Sequence, residues 1–386
     1  MNVSINNIAV EWVTTNDQLS DLVGSRDLNA DYALDTEFTS GRWYSTELSL
    51  VQIGWPDRIA LIDPYLVDLT LLAPLFHGGG QALFHAAQGD LELLEIAVGV
   101  RPSRLFDTQV AGQLLGYSMP SLAYMVQKYV GVSLDKTHQR TDWTVRPLSE
   151  PVRHYAASDV AHLHELVAKV TADIEALNRS AWLESENEVV RTQLFTTTPP
   201  EELWWRLSRA TGIPSGRQLG AQRLAILRNE RAQRRNKPLS HIITDDAMVS
   251  LASKPPATLR DFKNHKGCAN IPEPFAMEII DLLTRAKDES PGELRRLPGG
   301  ALDPDLEPLV NILAAVAAQR AIDLTIDFKI LATRKDITDF VAQHPSRVDV
   351  AWRHVVLGDD LHALLRGEAA IRVRDQRVVI ERDGTL

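Results

Sequence analysis

The chain alternates short β-rich runs with helical spacing in its first half and is almost entirely helical in pattern afterwards. Residues 8–13 read as a short strand, and 15–26 as a helix capped by Thr15 or Asn16. The apolar run Tyr32-Ala33-Leu34 leads into Asp35-Thr36-Glu37-Phe38. Residues 48–53 alternate, and 58–62 form another β-rich run after the turn signal Trp55-Pro56-Asp57. Three strands in succession predict an antiparallel meander. A helix is expected over 66–76, ended by Gly78-Gly79-Gly80, then a strand over 81–85, and helices to residue 177. A mixed sheet covered by helices on both faces is the natural way to bury these elements, so the first half is read as α/β. Linkers are expected at 196–200 and 288–300, where proline, glycine and threonine cluster. Between them the pattern gives short helices only. Residues 302–386 are again mostly helical, with a hairpin expected at 370–381. The two C-terminal segments are alike in length and helical content, consistent with a duplicated module.

Composition narrows this picture only in places. The chain has 386 residues, 44% hydrophobic and 24% charged, enough for two or three domains. Cys268 is the only cysteine, which excludes disulfides and cysteine zinc sites. The eleven histidines offer no zinc-site spacing; His162 and His164, two apart on a helix, cannot face one metal. No signal peptide is expected, because residues 1–7 lack a basic region and Glu11 breaks the next run. No apolar stretch approaches the ~18 residues of a membrane span, so the expected compartment is the cytoplasm. A net charge of −10 argues against nonspecific coating of nucleic acid. It leaves room for a nucleic-acid enzyme, whose metal site needs acids of its own.

Asp35 and Glu37, two apart on a strand, share one face, with Leu34 and Thr36 on the other. Two close carboxylates repel, and burying them demands a neutralising charge, for which a hard divalent cation is the usual solution. Alone, the pair reads more often as an exposed strand end. Asp90 opens a helix after the strand Ala82-Leu83-Phe84-His85, where an acid also serves the helix N-terminus. Asp159 lies inside a helical pattern, where Asp is a poor helix former. Tyr155 is four residues earlier, on the same face.

These segments, Asp35-Thr36-Glu37, His85-Ala86-Ala87-Gln88-Gly89-Asp90-Leu91 and Tyr155-Ala156-Ala157-Ser158-Asp159, resemble the three motifs of DEDD-type 3′–5′ exonucleases. Lys136-Thr137-His138-Gln139-Arg140-Thr141-Asp142-Trp143, with Arg146-Pro147-Leu148, resembles the ribonuclease D family more specifically. The likeness covers residues ~8–190. Residues 219–286 are similar to the HRDC module of that family, on Leu227-Arg228-Asn229-Glu230-Arg231-Ala232, and the last segment resembles its second such module more weakly. The resemblance implies a ribonuclease H-like exonuclease domain over 1–197, an HRDC domain over 203–288 and a second helical domain over 301–386.

It further implies a metal-dependent 3′–5′ exoribonuclease that releases 5′-mononucleotides. Two Mg²⁺ or Mn²⁺ ions would be held by Asp35, Glu37, Asp90 and Asp159, with Asp35 as bridge. The expected substrate is RNA with a free 3′ end, tRNA precursors above all, and the expected state a monomer off the membrane. A 3′–5′ DNA exonuclease and a catalytically dead RNA-binding protein are the alternatives. Phe38, Trp43 and Tyr44 are candidates for base stacking, and His85, Gln139, Arg140 and Arg146 for other substrate contacts. The basic stretch Arg223, Arg228, Arg231, Arg234, Arg235 and Lys237 is read equally as a solvated helix face and as an RNA tether. Two positions depart from the family pattern: Ser45-Thr46 follows Arg42-Trp43-Tyr44 where proline is frequent, and Gln88-Gly89 precedes Asp90 where a basic residue is frequent.

DEDD-type enzymes divide into a subclass with tyrosine four residues before the last Asp and one with histidine five before it. This chain has both, His154 and Tyr155. At about 100° per residue, Tyr155 lies about 40° from Asp159 around a helix and His154 about 140° away. Pro151 suits a first helical turn, so both positions are expected inside the helix, with Tyr155 on the metal face.

Overall fold

A computed structural model of the chain describes residues 3–5, 8–39, 41–135, 137–138, 141–194, 198–287, 289, 294–295 and 303–382. These form two compact units. One holds the described residues within 1–38, 48–193 and 301–386; the other holds Thr39–Glu47 and the described residues within 194–300.

The first unit is built on seven strands: Val3–Ile5 (β1), Ile8–Val13 (β2), Tyr32–Thr39 (β3), Glu47–Trp55 (β4), Arg58–Ile62 (β5), Ala82–Phe84 (β6) and Leu105–Asp107 (β7). Their spatial order is β1-β2-β5-β4-β3-β6-β7. The expected meander is present as the neighbours β3, β4 and β5, with β4 and β5 antiparallel and Trp55 opposite Arg58 across the Pro56-Asp57 turn. Parallel pairs β2–β5, β3–β6 and β6–β7 make the sheet mixed. β4 is buried from Ser49 to Trp55, although its sequence alternates. A central strand covered on both faces buries its polar positions too, here Ser49 and Gln52.

Local chemistry fixes the elements beside the site. Thr15 caps the helix Asn16–Gly24 by accepting from Gln18 N. The helix expected over 66–76 is instead a 3₁₀ turn, Leu69–Leu72, followed by one α-turn, Ala73–His77. Asp68 caps the first, and Pro74 lies in the first turn of the second. A Cβ on Gly80 would lie 2.1 Å from Ala30 O, so only glycine lets the backbone entering β6 pass the backbone entering β3 this closely.

The segment read from sequence as a third module packs on the nuclease residues in one core. Val310, Leu313, Leu331 and Leu361 share it with Leu114, Val126, Val170 and Leu183. Arg353 donates from Nη1 and Nη2 to the two carboxylate oxygens of Glu186, 2.6 Å each, and Trp352 Nε1 donates to the same carboxylate at 2.8 Å. Arg353 and Glu186 are almost fully buried. Ala369–Arg374 and Arg377–Arg382 form the expected hairpin, turned by Asp375 and Gln376 with φ of 48° and 61°. Removing Arg353 leaves the buried Glu186 with only the Trp352 N–H and the more distant Arg347, 3.9 Å away, and loss of a partner from a buried bidentate pair costs about 3–5 kcal/mol. Arg353→Ala is therefore expected to lower the unfolding free energy by that amount in urea; a loss below ~1 kcal/mol would disprove the assigned role.

In the second unit, Gln218–Arg235, Asp245–Ser253, Leu259–Asn264 and Glu273–Arg285 surround Trp204, Leu224, Phe262 and Ile279. Half of the basic stretch is committed inside this unit. Arg228 pairs with Asp245 at 2.6 Å, Arg223 with Glu289 and Arg231 with Glu278, while Arg234, Arg235 and Lys237 are exposed. No single helix among the described residues is long and apolar enough to cross a membrane.

Candidate active site

Asp35, Glu37, Asp90 and Asp159 line one cleft of about 350 Å³ in the first unit, with Tyr155, Phe38, His85, Leu122 and a fifth acid, Asp135. β3 supplies Asp35 and Glu37, the helix Gln88–Val98 supplies Asp90 from its first turn, and the helix Glu150–Ala161 supplies Asp159. Asp35, Glu37 and Asp159 offer oxygens that all lie within 4.8 Å of one another. Asp90 faces the same cleft, and its Oδ1 accepts a hydrogen bond from the Thr36 hydroxyl.

Asp90 is placed by the turn that precedes its helix. Ala86 there has φ of 64°, a conformation costly for a residue with a Cβ. Asp107, at the end of β7, holds it: Oδ1 accepts from Ala86 N and Oδ2 from Ala87 N, 2.9 Å each. The same carboxylate caps the helix Thr108–Leu114 through Gln109 N and Val110 N. His85 precedes this turn, and both ring nitrogens are engaged, with Thr108 Oγ1 at 2.8 Å and Pro120 O at 2.9 Å. Burial pulls its pKa down, so it lines the cleft as a neutral ring already committed to the protein.

The helix Glu150–Ala161 includes both His154 and Tyr155. Tyr155 is buried and lines the cleft with Asp159, whereas His154 is exposed and does not line it. The Tyr155 ring packs between His138, at 6.0 Å, and Trp143, at 6.1 Å. Burial first, and then the charges of Asp159, Glu37, Asp35 and Asp135, raise its pKa above the ordinary phenol value. At neutral pH the hydroxyl is a hydrogen-bond donor, not a base.

Crowding acts on the acids in the same sense. Burial, reinforced by Asp90, Asp159 and Glu37, pushes the Asp35 carboxyl well above the usual range. Glu37 is pushed up to about 9 by burial and by Asp159 and Asp90. Asp90 and Asp159 rise to about 7, chiefly through burial. An all-oxygen set that resists ionisation until a positive charge arrives fits a hard divalent cation.

Arg146, expected to reach the substrate, is used elsewhere. Nε donates to Asp63 Oδ2 at 2.6 Å and Nη2 to Asp63 Oδ1 at 3.0 Å, with further bonds to Ser49 O and Trp143 O. Asp63 is 1% exposed, so the guanidinium fork satisfies a buried carboxylate and fixes the segment carrying Trp143. Phe38 stands exposed at the cleft rim. Trp43 and Tyr44 belong to the second unit, where the Tyr44 hydroxyl donates to Asn229 Oδ1 at 2.7 Å and Lys237 sits 5.0 Å from the Trp43 ring. Gln139 and Arg140 lie outside the described residues. Sequence reasoning passed over Thr36, Asp107, Asp135, His138 and Trp143 as parts of the site. Alternation put Thr36 on the far face of β3. Asp107 did leave a signal, an acid just before a helical run.

Residues 10–175 match the family model "3'-5' exonuclease", and residues 221–270 match "HRDC domain". Ribonuclease D of Jannaschia sp. is 31% identical over 382 residues, covering 95% of this chain and 98% of the relative. Ribonuclease D of Nitrobacter hamburgensis is 29% identical over 383 residues, covering 96% and 99%. The crystal structure of Escherichia coli RNase D, described as an exoribonuclease involved in structured RNA processing, superposes with a TM-score of 0.84. The identity is 26%, over 93% of this chain and 99% of that one.

Proposed function

The chain belongs to the ribonuclease D family and is an exoribonuclease; from that premise we propose that it removes 5′-mononucleotides one at a time from RNA 3′ ends. The reaction uses two Mg²⁺ or Mn²⁺ ions held by Asp35, Glu37, Asp90 and Asp159. The observation that carries this is the meeting of Asp35, Glu37 and Asp159 oxygens within 4.8 Å, with Asp90 on the same cleft. When bound, such cations supply positive charge to the attacking and leaving oxygens of a phosphodiester and lower the pKa of a water. The protein's own residues orient the reactants. The protonated Tyr155 hydroxyl donates to and aligns a water beside Asp159. Phe38 offers an exposed ring on which the terminal base stacks, worth ~1–3 kcal/mol whatever the base.

Structured RNAs, tRNA precursors among them, are the proposed substrates, in the cytoplasm and by a monomer. The description of the Escherichia coli relative supports structured RNA. Trp43, Gln139 and Arg140 are further proposed substrate contacts, and Arg234, Arg235 and Lys237 a proposed phosphate tether. The test is digestion of 3′-labelled single-stranded RNA and DNA of one sequence with Mg²⁺, Mn²⁺ or EDTA. Mononucleotide release from RNA with either metal and none in EDTA is expected. Release from DNA alone would establish the DNA exonuclease reading, and release in EDTA would remove the metals.

The raised carboxyl pKa values give a second check. Each of these groups keeps its proton to a higher pH in the folded chain than in the unfolded one, where it titrates near 4. Their contribution to stability is full below about pH 4 and is lost as pH rises through about 7 and then about 9. In EDTA the Tm is therefore expected to fall between about pH 5 and about pH 9, and Mg²⁺ or Mn²⁺ is expected to flatten that fall. Superimposable Tm–pH curves with and without metal would contradict the assignment.

A further inference from the structure

A second cluster of metal-ligating side chains lies in the C-terminal segment, away from the cleft. Asp349 ends the 3₁₀ turn Arg347–Asp349, His354 opens the π-helical turn His354–Gly358, and His362 sits on the helix Asp359–Leu365. One ligand atom from each lies within 4.8 Å of the other two. From this geometry we infer that Asp349, His354 and His362 form a binding site for a Zn²⁺-type transition-metal cation that staples these three elements together.

Asp349 Oδ1 is the common neighbour of both imidazoles. His354 Nε2 lies 3.3 Å from the Asp359 carboxylate, which favours the proton on Nε2 and leaves Nδ1 with its lone pair. That Nδ1 is shielded from solvent and has no hydrogen-bond partner among the described residues. It is 3.9 Å from Asp349 Oδ1. A carboxylate that orients a histidine from behind is the usual support of a metal-bound imidazole. His362 Nε2 hydrogen-bonds the same Asp349 oxygen at 2.7 Å, so the cation takes the place of that proton. Donors around a tetrahedral Zn²⁺ stand about 3.3 Å apart, given ligand distances of about 2.0–2.1 Å. The two measured separations straddle that value, so small side-chain shifts bring the donors into place. Gly358 makes room for this: a Cβ there would lie 2.9 Å from His354 Nδ1 and 2.8 Å from Val348 O. Two imidazoles and one carboxylate suit Zn²⁺ and its neighbours and not Mg²⁺, which prefers oxygen alone. The three side chains are 38–44% exposed, so the ion has a path in and a water completes its shell.

Zinc uptake by the full chain, stripped of metal and followed by calorimetry, tests this. Asp159→Asn, altered in the cleft, is expected to keep one zinc equivalent that His354→Ala and His362→Ala lose. Zinc is also expected to raise the Tm of wild type more than that of either histidine variant, while both variants still digest RNA. Equal zinc stoichiometry and equal Tm gain in wild type and both histidine variants would overturn the site. If the histidine variants do not fold, Asp359→Asn decides instead. About 10–100-fold weaker binding of that zinc equivalent is expected, as for loss of a supporting carboxylate, and unchanged binding overturns it.

Discussion

Asp159→Asn is expected to end nucleotide release while the chain stays folded, and Asp35→Asn to do the same. Asparagine keeps the shape of the side chain and removes one charge from the set that converges within 4.8 Å. Disturbing a group that merely supports a metal ligand already costs about 10–100-fold, so loss of a ligand charge is expected to cost more than that in both Mg²⁺ and Mn²⁺. Stability in EDTA moves the other way. Burial holds the Asp159 carboxyl up to about 7, so above that pH the wild type carries a charge its surroundings disfavour. The neutral amide removes that burden, and the variant's Tm at about pH 8 in EDTA is expected to equal or exceed that of wild type. Activity falling with no fall in Tm separates a lost ligand from a damaged fold. Wild-type turnover of either variant in both metals would sink the two-metal assignment.

Tyr155→Phe is expected to lower turnover by about 10²–10⁴-fold, the range for a positioned proton-handling group, and His154→Ala to change it little. The two residues are adjacent in sequence, but the helix Glu150–Ala161 turns only Tyr155 toward Asp159 and the cleft. Phenylalanine keeps the ring contacts with His138 and Trp143 and removes only the hydroxyl. The loss is therefore expected mainly in kcat, with RNA affinity close to wild type. Because the phenol pKa is raised above its ordinary value, its ionisation is not expected to shape the pH–rate profile near neutrality. High activity in Tyr155→Phe and its loss in His154→Ala would move the enzyme to the histidine subclass.

Asp35 with Glu37, and Tyr155 with Asp159, were legible as pairs because the periodicity of a single element aligns each pair. A strand puts Asp35 and Glu37 on one face, and a helix puts Tyr155 one turn from Asp159. The mixed sheet was legible for a similar reason, since its strands are short β-rich runs between helical spacings. The 66–76 segment was not: apolar spacing alone does not distinguish one long helix from a 3₁₀ turn and an α-turn that meet at Leu72 and Ala73. The substrate contacts read least well. An arginine on a loop has the same local sequence whether it meets a phosphate or, as Arg146 does, the buried carboxylate of Asp63.

What the sequence determined by itself is therefore local: which side chains share a face, which residues cap a helix, and where the chain turns. The tertiary structure decided what meets across distance. Glu186 meets Arg353, which joins the C-terminal segment to the nuclease core, Asp107 meets the Ala86 turn that places Asp90, and Asp349 meets His354 and His362. Spacing carries the first kind of information because backbone hydrogen bonding sets the period of every helix and strand. Charge pairing and burial carry the second, and they depend on neighbours that only packing supplies.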